Sequence, residues 1–291
     1  MGARRPKIIV LMAVYRGAAW LEEQIDTILG QEDVDIELYI SIDKSGDGSE
    51  EICSAAAKDN NNVHLISEDD VFGNAAANFF HLLSTVDFSS CDYMSLADQD
   101  DIWLPKKLIS GIKMLQEHGA SGYSSNLLAF WPDGKEYVVE KSQPFQPYDH
   151  FYESASAGCT YVLTQPLVVD LQGFLLSQDV NLMAVVNHDW FIYAFARCRG
   201  YKWSLDSEYY ICYRQHHNNA VGVNRGIRAL RKRIFPLVFG WYNKSQKTIV
   251  ELLEPSRKVT FFQVLRQWRG FRRRGWHAVL IAILVAVGVL R

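Results

Sequence analysis

Two periodicities alternate through the first hundred residues, and this alternation constrains the fold more than any other feature of the chain. KIIVLMAVY (7–15) is a continuous apolar run short enough for a strand buried on both faces. AWLEEQIDTILG (19–30) then carries Leu21, Ile25, Ile28 and Leu29 at helical spacing and stops at Gly30. IELYISI (36–42) and NVHLIS (62–67) read as the next strands, AAANFFHLLSTV (75–86) as a helix, and DYMSLA (92–97) as a fourth strand. Strands alternating with helices predict an α/β architecture, a mostly parallel sheet flanked by helices, in which ligands bind beyond the carboxyl ends of the strands. LPKKLISGIKMLQEHG (104–119) reads as a further helix, with Pro105 at its first position and Gly119 at its end.

Two of those strand ends are rich in charge. DKSGDGS follows the second strand and DQDD follows the fourth. Asp98, Asp100 and Asp101 repel one another unless a cation intervenes. Acids two apart at a strand end both face a divalent ion such as Mg²⁺ or Mn²⁺, which takes one or two carboxylates together with phosphate oxygens and water. Taken alone, the spacing also describes a solvated acidic loop.

At 291 residues, 48% hydrophobic and 22% charged, the chain buries a substantial core in one elaborated domain or two halves sharing it. Its five cysteines form no CxxC pair, so neither a disulfide framework nor a zinc site is expected, and a reducing cytoplasmic setting fits. No small-residue cleavage site follows the basic start, so the N-terminus reads as a strand rather than a signal peptide. DKSGDGSEEICS opens like a calcium loop but ends on Ser54 where a bidentate Glu is needed; SGDGSEEI lacks the third glycine of a dinucleotide fingerprint, and no GxxxxGK[ST] occurs.

In order along the chain, AVYRGAAWLEEQIDTIL, ISIDKSGDGS, GNAAANFFHLL, ADQDDIWLPKKL, HDWFIY and YRQHHNN resemble the GT-A-fold glycosyltransferase family 2, in particular its bacterial rhamnosyltransferase-like branch, over roughly residues 7–222. The resemblance implies a metal-dependent inverting transferase using a nucleotide sugar, dTDP-L-rhamnose or else a UDP-hexose. Ala13 and Tyr15 would border the nucleobase and Asp43 would accept from its N3–H. Asp98 would touch the ribose or assist the metal, and Asp100 would be the main metal ligand. Asp189 in HDW corresponds to the catalytic base. Arg214 and His216 in YRQHHNN sit where the family closes over the diphosphate, with His216 able to reach the metal. Residues 1–105 would then bind the nucleotide sugar and 106–222 the acceptor.

Two departures stand out: Ile42 and Lys44 replace an acid and a glycine usual beside Asp43, and Gly73 precedes Asn78 by an uncommon spacing, so neither of these last two receives a role. Other readings stay open for single residues. Asp189 also suits a helix start, His216 and His217 also suit an ordinary loop, and Cys159 reads as a small buried side chain. A nucleotidyltransferase also pairs carboxylates on an α/β sheet, but HDW and YRQHHNN argue against it. A non-catalytic, membrane-docked sugar-nucleotide-binding protein is a further alternative.

The net charge of −3 conceals an asymmetry. Residues 225–291 hold 15 Lys/Arg and 2 Asp/Glu, whereas the first 224 hold 15 and 31. The tail, 223–291, interleaves Arg with Trp, Phe and Leu and ends in an apolar run from Ala278 to Leu290, which as a helix spans about 20 Å, short of a ~30 Å hydrocarbon core. It reads as a basic amphipathic helical segment lying on an anionic membrane, with a nucleic-acid patch or a terminal core helix as alternatives. No nucleic-acid fold accompanies it, so no nucleic-acid partner is expected. The expectation is a peripheral enzyme on the cytoplasmic face of the inner membrane, acting on a lipid-linked or lipopolysaccharide saccharide.

Overall fold

The computed structural model of the chain describes residues 4–67, 71–177, 187–216, 241–256 and 266–286. Its centre is one nine-stranded sheet. The strands are β1 (Lys7–Val14), β2 (Asp35–Ile42), β3 (Val63–Ser67), β4 (Tyr93–Ala97), β5 (Ile102–Trp103), β6 (Gly122–Phe130), β7 (Glu136–Val139), β8 (Val162–Thr164) and β9 (Trp203–Arg214). They lie in the order β3-β2-β1-β4-β8-β6-β9-β5, with β7 paired to β6. The first four are mutually parallel; β8 then runs antiparallel to both β4 and β6, β9 is parallel to β6, and β5 is antiparallel to β9. The sheet is therefore mixed, with its parallel part in the half that the alternating pattern announced.

Alternation along β1 divides the core. Ile8, Val10, Met12 and Val14 pack with α1 (Leu21–Leu29), α2 (Ser49–Asp59) and α4 (Lys107–His118), while Ile9 and Leu11 face α3 (Ala75–Thr85), α5 (Gln165–Ser177) and α6 (His188–Cys198). A strand covered on both faces has no polar side, which is why KIIVLMAV reads as continuous rather than alternating hydrophobicity. Helix α4 starts at Lys107, two residues after Pro105, because Lys107 N–H closes a turn onto Leu104 O (3.0 Å) before the helix begins. It ends on Gly119 at φ +55°, a conformation glycine adopts without steric cost.

The described part of the tail packs on this domain. Helices α7 (Trp241–Leu253) and α8 (Gly275–Ala286) place Tyr242, Ile249, Val250, Ile281, Leu284 and Val285 in the same apolar cluster as α3, α5 and α6, together with Phe271. Trp190 of α6 stacks on Tyr242 at 5.0 Å, and Tyr242 Oη donates to Tyr152 O at 2.6 Å. Of the three readings open for the tail, a terminal core helix describes these residues. Residues 223–240, 257–265 and 287–291 lie outside the described ones. No helix among the described residues is long and apolar enough to cross a membrane.

Candidate active site

Strand order 3-2-1-4 reverses direction between β1 and β4, and at such a switch point the connecting loops part to leave a crevice beyond the strand ends. Ala13 is the last residue but one of β1, and Tyr15, Asp43 and Asp98 follow the ends of β1, β2 and β4. Register explains their convergence, since Val14 is opposite Ile42 and Met12 is opposite Ala97. Gln99 locks two of these loops: its amide accepts from Tyr15 N and donates to Tyr15 O, both at 2.7 Å, leaving the Tyr15 side chain exposed. Asp43 is buried, and its carboxylate accepts from Phe72 N (3.2 Å) and Gly73 N (2.8 Å), which places Gly73 without any appeal to its spacing from Asn78. In the calcium-like loop, Asp47 and Glu50 accept from the backbone amides of Ala18, Ser49, Ser45 and Gly46, so these acids shape the loop.

The DQDD segment splits into an upper and a lower layer. Below, Asp101 and Cys159 are both almost fully buried, and with half-buried Asp98 their ligand atoms lie within 4.8 Å of one another. Burial and then the Asp100 charge push the Asp98 carboxyl up to about 7, and burial followed by Asp98 pushes Asp101 well above the carboxylate range. Burial likewise raises the Cys159 thiol far above its usual value, which keeps it neutral. Lys107 is buried close by: its amine donates to Ser95 Oγ at 2.6 Å and sits 3.4 Å from the Trp103 ring centre, and burial pulls it down to about 7. The sequence carried no signal for Lys107 beyond its place in LPKKL.

Above, β9 delivers Arg214 and His216 over the acids because its end pairs with β5, which follows Asp101 directly. His216 Nε2 lies 2.7 Å from Asp100 Oδ2, and the imidazole stacks on Trp20 at 4.0 Å. Arg214 Nε donates to Asp100 O (2.9 Å), its backbone N–H donates to Asp101 Oδ1 (3.2 Å), and its guanidinium pairs with Glu23 and lies over Phe130. His217 lies outside the described residues.

Asp189 stands at the second position of α6, where its Oδ1 accepts from Trp190 N at 2.7 Å, so it also serves the helix start. Gly158 joins it to the acidic layer, since a Cβ there would meet His188 Nε2 at 2.7 Å and Asp189 Cβ at 3.3 Å, and Cys159 follows. Burial pushes the Asp189 carboxyl up to about 6, opposed by Trp190 N–H, the Lys141 ammonium and the Ser154 hydroxyl. His188, whose ring lies tilted against Phe79 at 4.0 Å, is driven by burial down to about 3 and is neutral. Lys141 and Ser154 lie in the Pro- and Gln-rich middle of the chain, where no periodicity marks them.

Asp98, Asp101 and Cys159 are the group of possible ligands found close together among the described residues. A neutral thiol is a poor partner for a hard cation, but the two carboxylates suit Mg²⁺ or Mn²⁺, and the buried Asp101 Oδ2 has no hydrogen-bond partner among the described residues. Asp100 and His216 pair with each other and are not part of that group.

The family model for "Glycosyl transferase family 2" matches residues 9–160. The chain is 37% identical over 243 residues to the dTDP-rhamnosyl transferase RfbG of Shigella flexneri, spanning 83% of this chain and 84% of that one. Among solved structures it is similar to residues 1–349 of S. aureus TarS in complex with UDP-GlcNAc, with TM-score 0.57 and 11% identity over 97% of this chain and 89% of that one. It is also similar to the mannosyltransferase PcManGT of Pyrobaculum calidifontis in complex with GDP-Man and Mn²⁺, with TM-score 0.53 and 13% identity over 98% and 88% of the two chains. Likeness at these identities shows the GT-A fold. With the family model and RfbG beside it, the conclusion is plain: the chain is a glycosyltransferase and belongs to glycosyltransferase family 2.

Proposed function

We propose that the enzyme transfers L-rhamnose from dTDP-L-rhamnose to a hydroxyl of a lipid-linked or lipopolysaccharide saccharide, with inversion and with dependence on Mg²⁺ or Mn²⁺. The observation that carries the donor is the 37% identity to a dTDP-rhamnosyl transferase across most of both chains. Ala13, Tyr15 and Asp43 border the nucleobase, residues 1–105 forming the donor half and 106–222 the acceptor half. Asp43 still has lone pairs beyond those given to Phe72 and Gly73, since an ionised carboxylate accepts about four hydrogen bonds. Asp98, Asp100 and His216 hold the cation, which when bound neutralises charge developing on the departing nucleoside diphosphate. Arg214 exchanges Glu23 for a phosphate oxygen. Asp189, held between Lys141 and Ser154, takes the proton of the acceptor hydroxyl as it attacks the anomeric carbon, and a carboxyl near 6 is ionised at neutral pH yet basic enough to accept it.

The tail gives the enzyme its place at an anionic membrane, on the cytoplasmic face. Arg266, Arg269 and Arg274 are exposed, and Val279 and Ile283 are exposed one turn apart on α8, with no acid between Arg266 and Ala286. Such a surface suits a headgroup layer, and confinement there raises the effective concentration of an anchored acceptor.

The test is calorimetric binding of dTDP-L-rhamnose, UDP-glucose and UDP-galactose with Mn²⁺ or EDTA, and sedimentation with phosphatidylglycerol vesicles. Metal-dependent binding of the rhamnose donor and co-sedimentation are expected. Preference for a UDP-sugar discards rhamnose, and protein that stays in the supernatant discards the membrane.

A further inference from the structure

Arg273 is a buried cation that contacts neither the crevice nor Asp189. Its side chain is 2% exposed, and a guanidinium at such depth persists only where its N–H groups are matched to acceptors. Nη1 donates to the carbonyls of Lys141 (2.8 Å) and Ala155 (2.9 Å), and Nη2 donates to that of Ser154. The backbone N–H (2.7 Å) and Nε (3.3 Å) both donate to Glu153 Oε1. One planar fork thus ties the C-terminal segment to the backbone on both sides of the loop between Lys141 and Ser154.

Those segments carry Lys141 and Ser154, the ammonium and hydroxyl that oppose the upward shift of the Asp189 carboxyl. A second link runs to the helix that bears Asp189. Arg273 Nε lies 3.7 Å from Asp149 Oδ2, and the fully buried Asp149 accepts from Tyr193 Oη (3.0 Å) and Arg197 Nη1 (3.2 Å) of α6. Arg273 therefore connects the partners of Asp189 to the helix beneath it.

We infer that Arg273 is a positioning residue for transfer, setting Asp189 against the acceptor hydroxyl through Ser154 and Lys141, so that the C-terminal segment is part of the catalytic support of the amino-terminal domain. The inference rests on the reading of Asp189 as the base. A reacting group displaced by about 1 Å costs on the order of 100-fold in rate, and a lysine at 273 keeps the charge but loses the fork that spans three carbonyls.

The experiment follows release of nucleoside diphosphate from dTDP-L-rhamnose, UDP-glucose and UDP-galactose, with a bacterial membrane saccharide extract as acceptor. It compares wild type, Asp189→Asn, Arg273→Lys, Ser154→Ala and the Arg273→Lys/Ser154→Ala pair. For Arg273→Lys, kcat is expected to fall about 10- to 100-fold while the donor KM stays within about twofold. The double variant is expected to be no slower than the slower single variant, because residues acting through one contact are not additive. Should Arg273→Lys not fold, Glu153→Gln, which removes the carboxylate that orients the guanidinium, is read in the same way. Unchanged kcat, a change confined to KM, or additive losses overturn the inference while an inactive Asp189→Asn leaves the base standing. Full activity in Asp189→Asn, or no turnover by wild type with any of the three donors, removes the base reading and the inference together.

Discussion

Asp189→Asn is expected to abolish transfer and, at neutral pH, to stabilise the protein. The wild-type carboxyl is shifted from 3.8 to about 6, chiefly by burial. Between those values the native state binds more protons at this site than the unfolded chain does. The free energy of unfolding therefore falls as pH rises through that window. The shift corresponds to about 3 kcal/mol at about 1.4 kcal/mol per pH unit, a contribution present in full below pH 3.8 and lost above about 6. An asparagine carries no charge to desolvate and keeps an oxygen for Trp190 N–H and Ser154, so it escapes that cost. Urea unfolding in EDTA, followed by tryptophan fluorescence from pH 4 to 7.5, measures the difference between variant and wild type. It should be near zero at pH 4 and open to about 3 kcal/mol by pH 7.5, while wild-type kcat falls about tenfold per pH unit below 6. A stability difference that stays flat across the range refutes the claim that burial strains Asp189, and undiminished turnover refutes its role as the base.

Asp100→Ala and His216→Ala should each weaken Mn²⁺-dependent donor binding by at least on the order of 10-fold, measured by calorimetry, with the small binding seen in EDTA unchanged. Trp190→Ala removes a buried ring that stacks on Tyr242 and donates to His150 O at 2.8 Å; a loss of about 3–5 kcal/mol is expected on chemical denaturation. Gly111→Ala sets two effects against each other. Helix propensity favours alanine by about 1 kcal/mol, but the new Cβ would meet Val162 Cγ2 at 2.9 Å and Tyr123 Cδ1 at 3.0 Å inside the core, where overpacking costs about 1–3 kcal/mol, so a net loss on urea unfolding is expected.

The parallel half of the fold was legible because each of its strands is a short apolar run bounded by a helix of clear period. Strands expected at 36–42 and 62–67 are observed at 35–42 and 63–67. The antiparallel half was not legible in the same way, since β8 is three residues long and its pairing with both β4 and β6 is a tertiary fact with no local pattern. At the crevice, DQDD and YRQHH marked residues that the fold brings within hydrogen-bond reach, Asp100 and His216 above all. What the pattern left out was depth. Nothing in the string distinguishes Lys107, which is buried, from the exposed Lys106 beside it, or Asp101, which is almost fully enclosed, from Asp100, which reaches His216. Depth decides that Asp101 and Lys107 belong to the floor of the site.

The tail shows why a charge count misreads arginine. Fifteen basic residues within 225–291 point to a polyanionic surface if all of them face solvent. Yet Arg272 and Arg273 turn inward onto Glu153, Asp149 and a set of backbone carbonyls, while Arg274 donates to Glu140 O from the surface. The acids that answer them lie in the first 224 residues, so the opposite signs of the two parts of the chain are in part the signature of an internal interface. Alternation of Arg with aromatic residues fits both situations, because a guanidinium stacks on a ring and forks onto carbonyls inside a protein as well as it binds phosphates outside one. Among the described arginines of the tail, Arg266, Arg269 and Arg274 are the exposed ones, placed to meet a headgroup layer. Neutralising those three should weaken binding to anionic vesicles without changing the fold, whereas removing Arg273 should disturb Asp189 with no effect on vesicle binding.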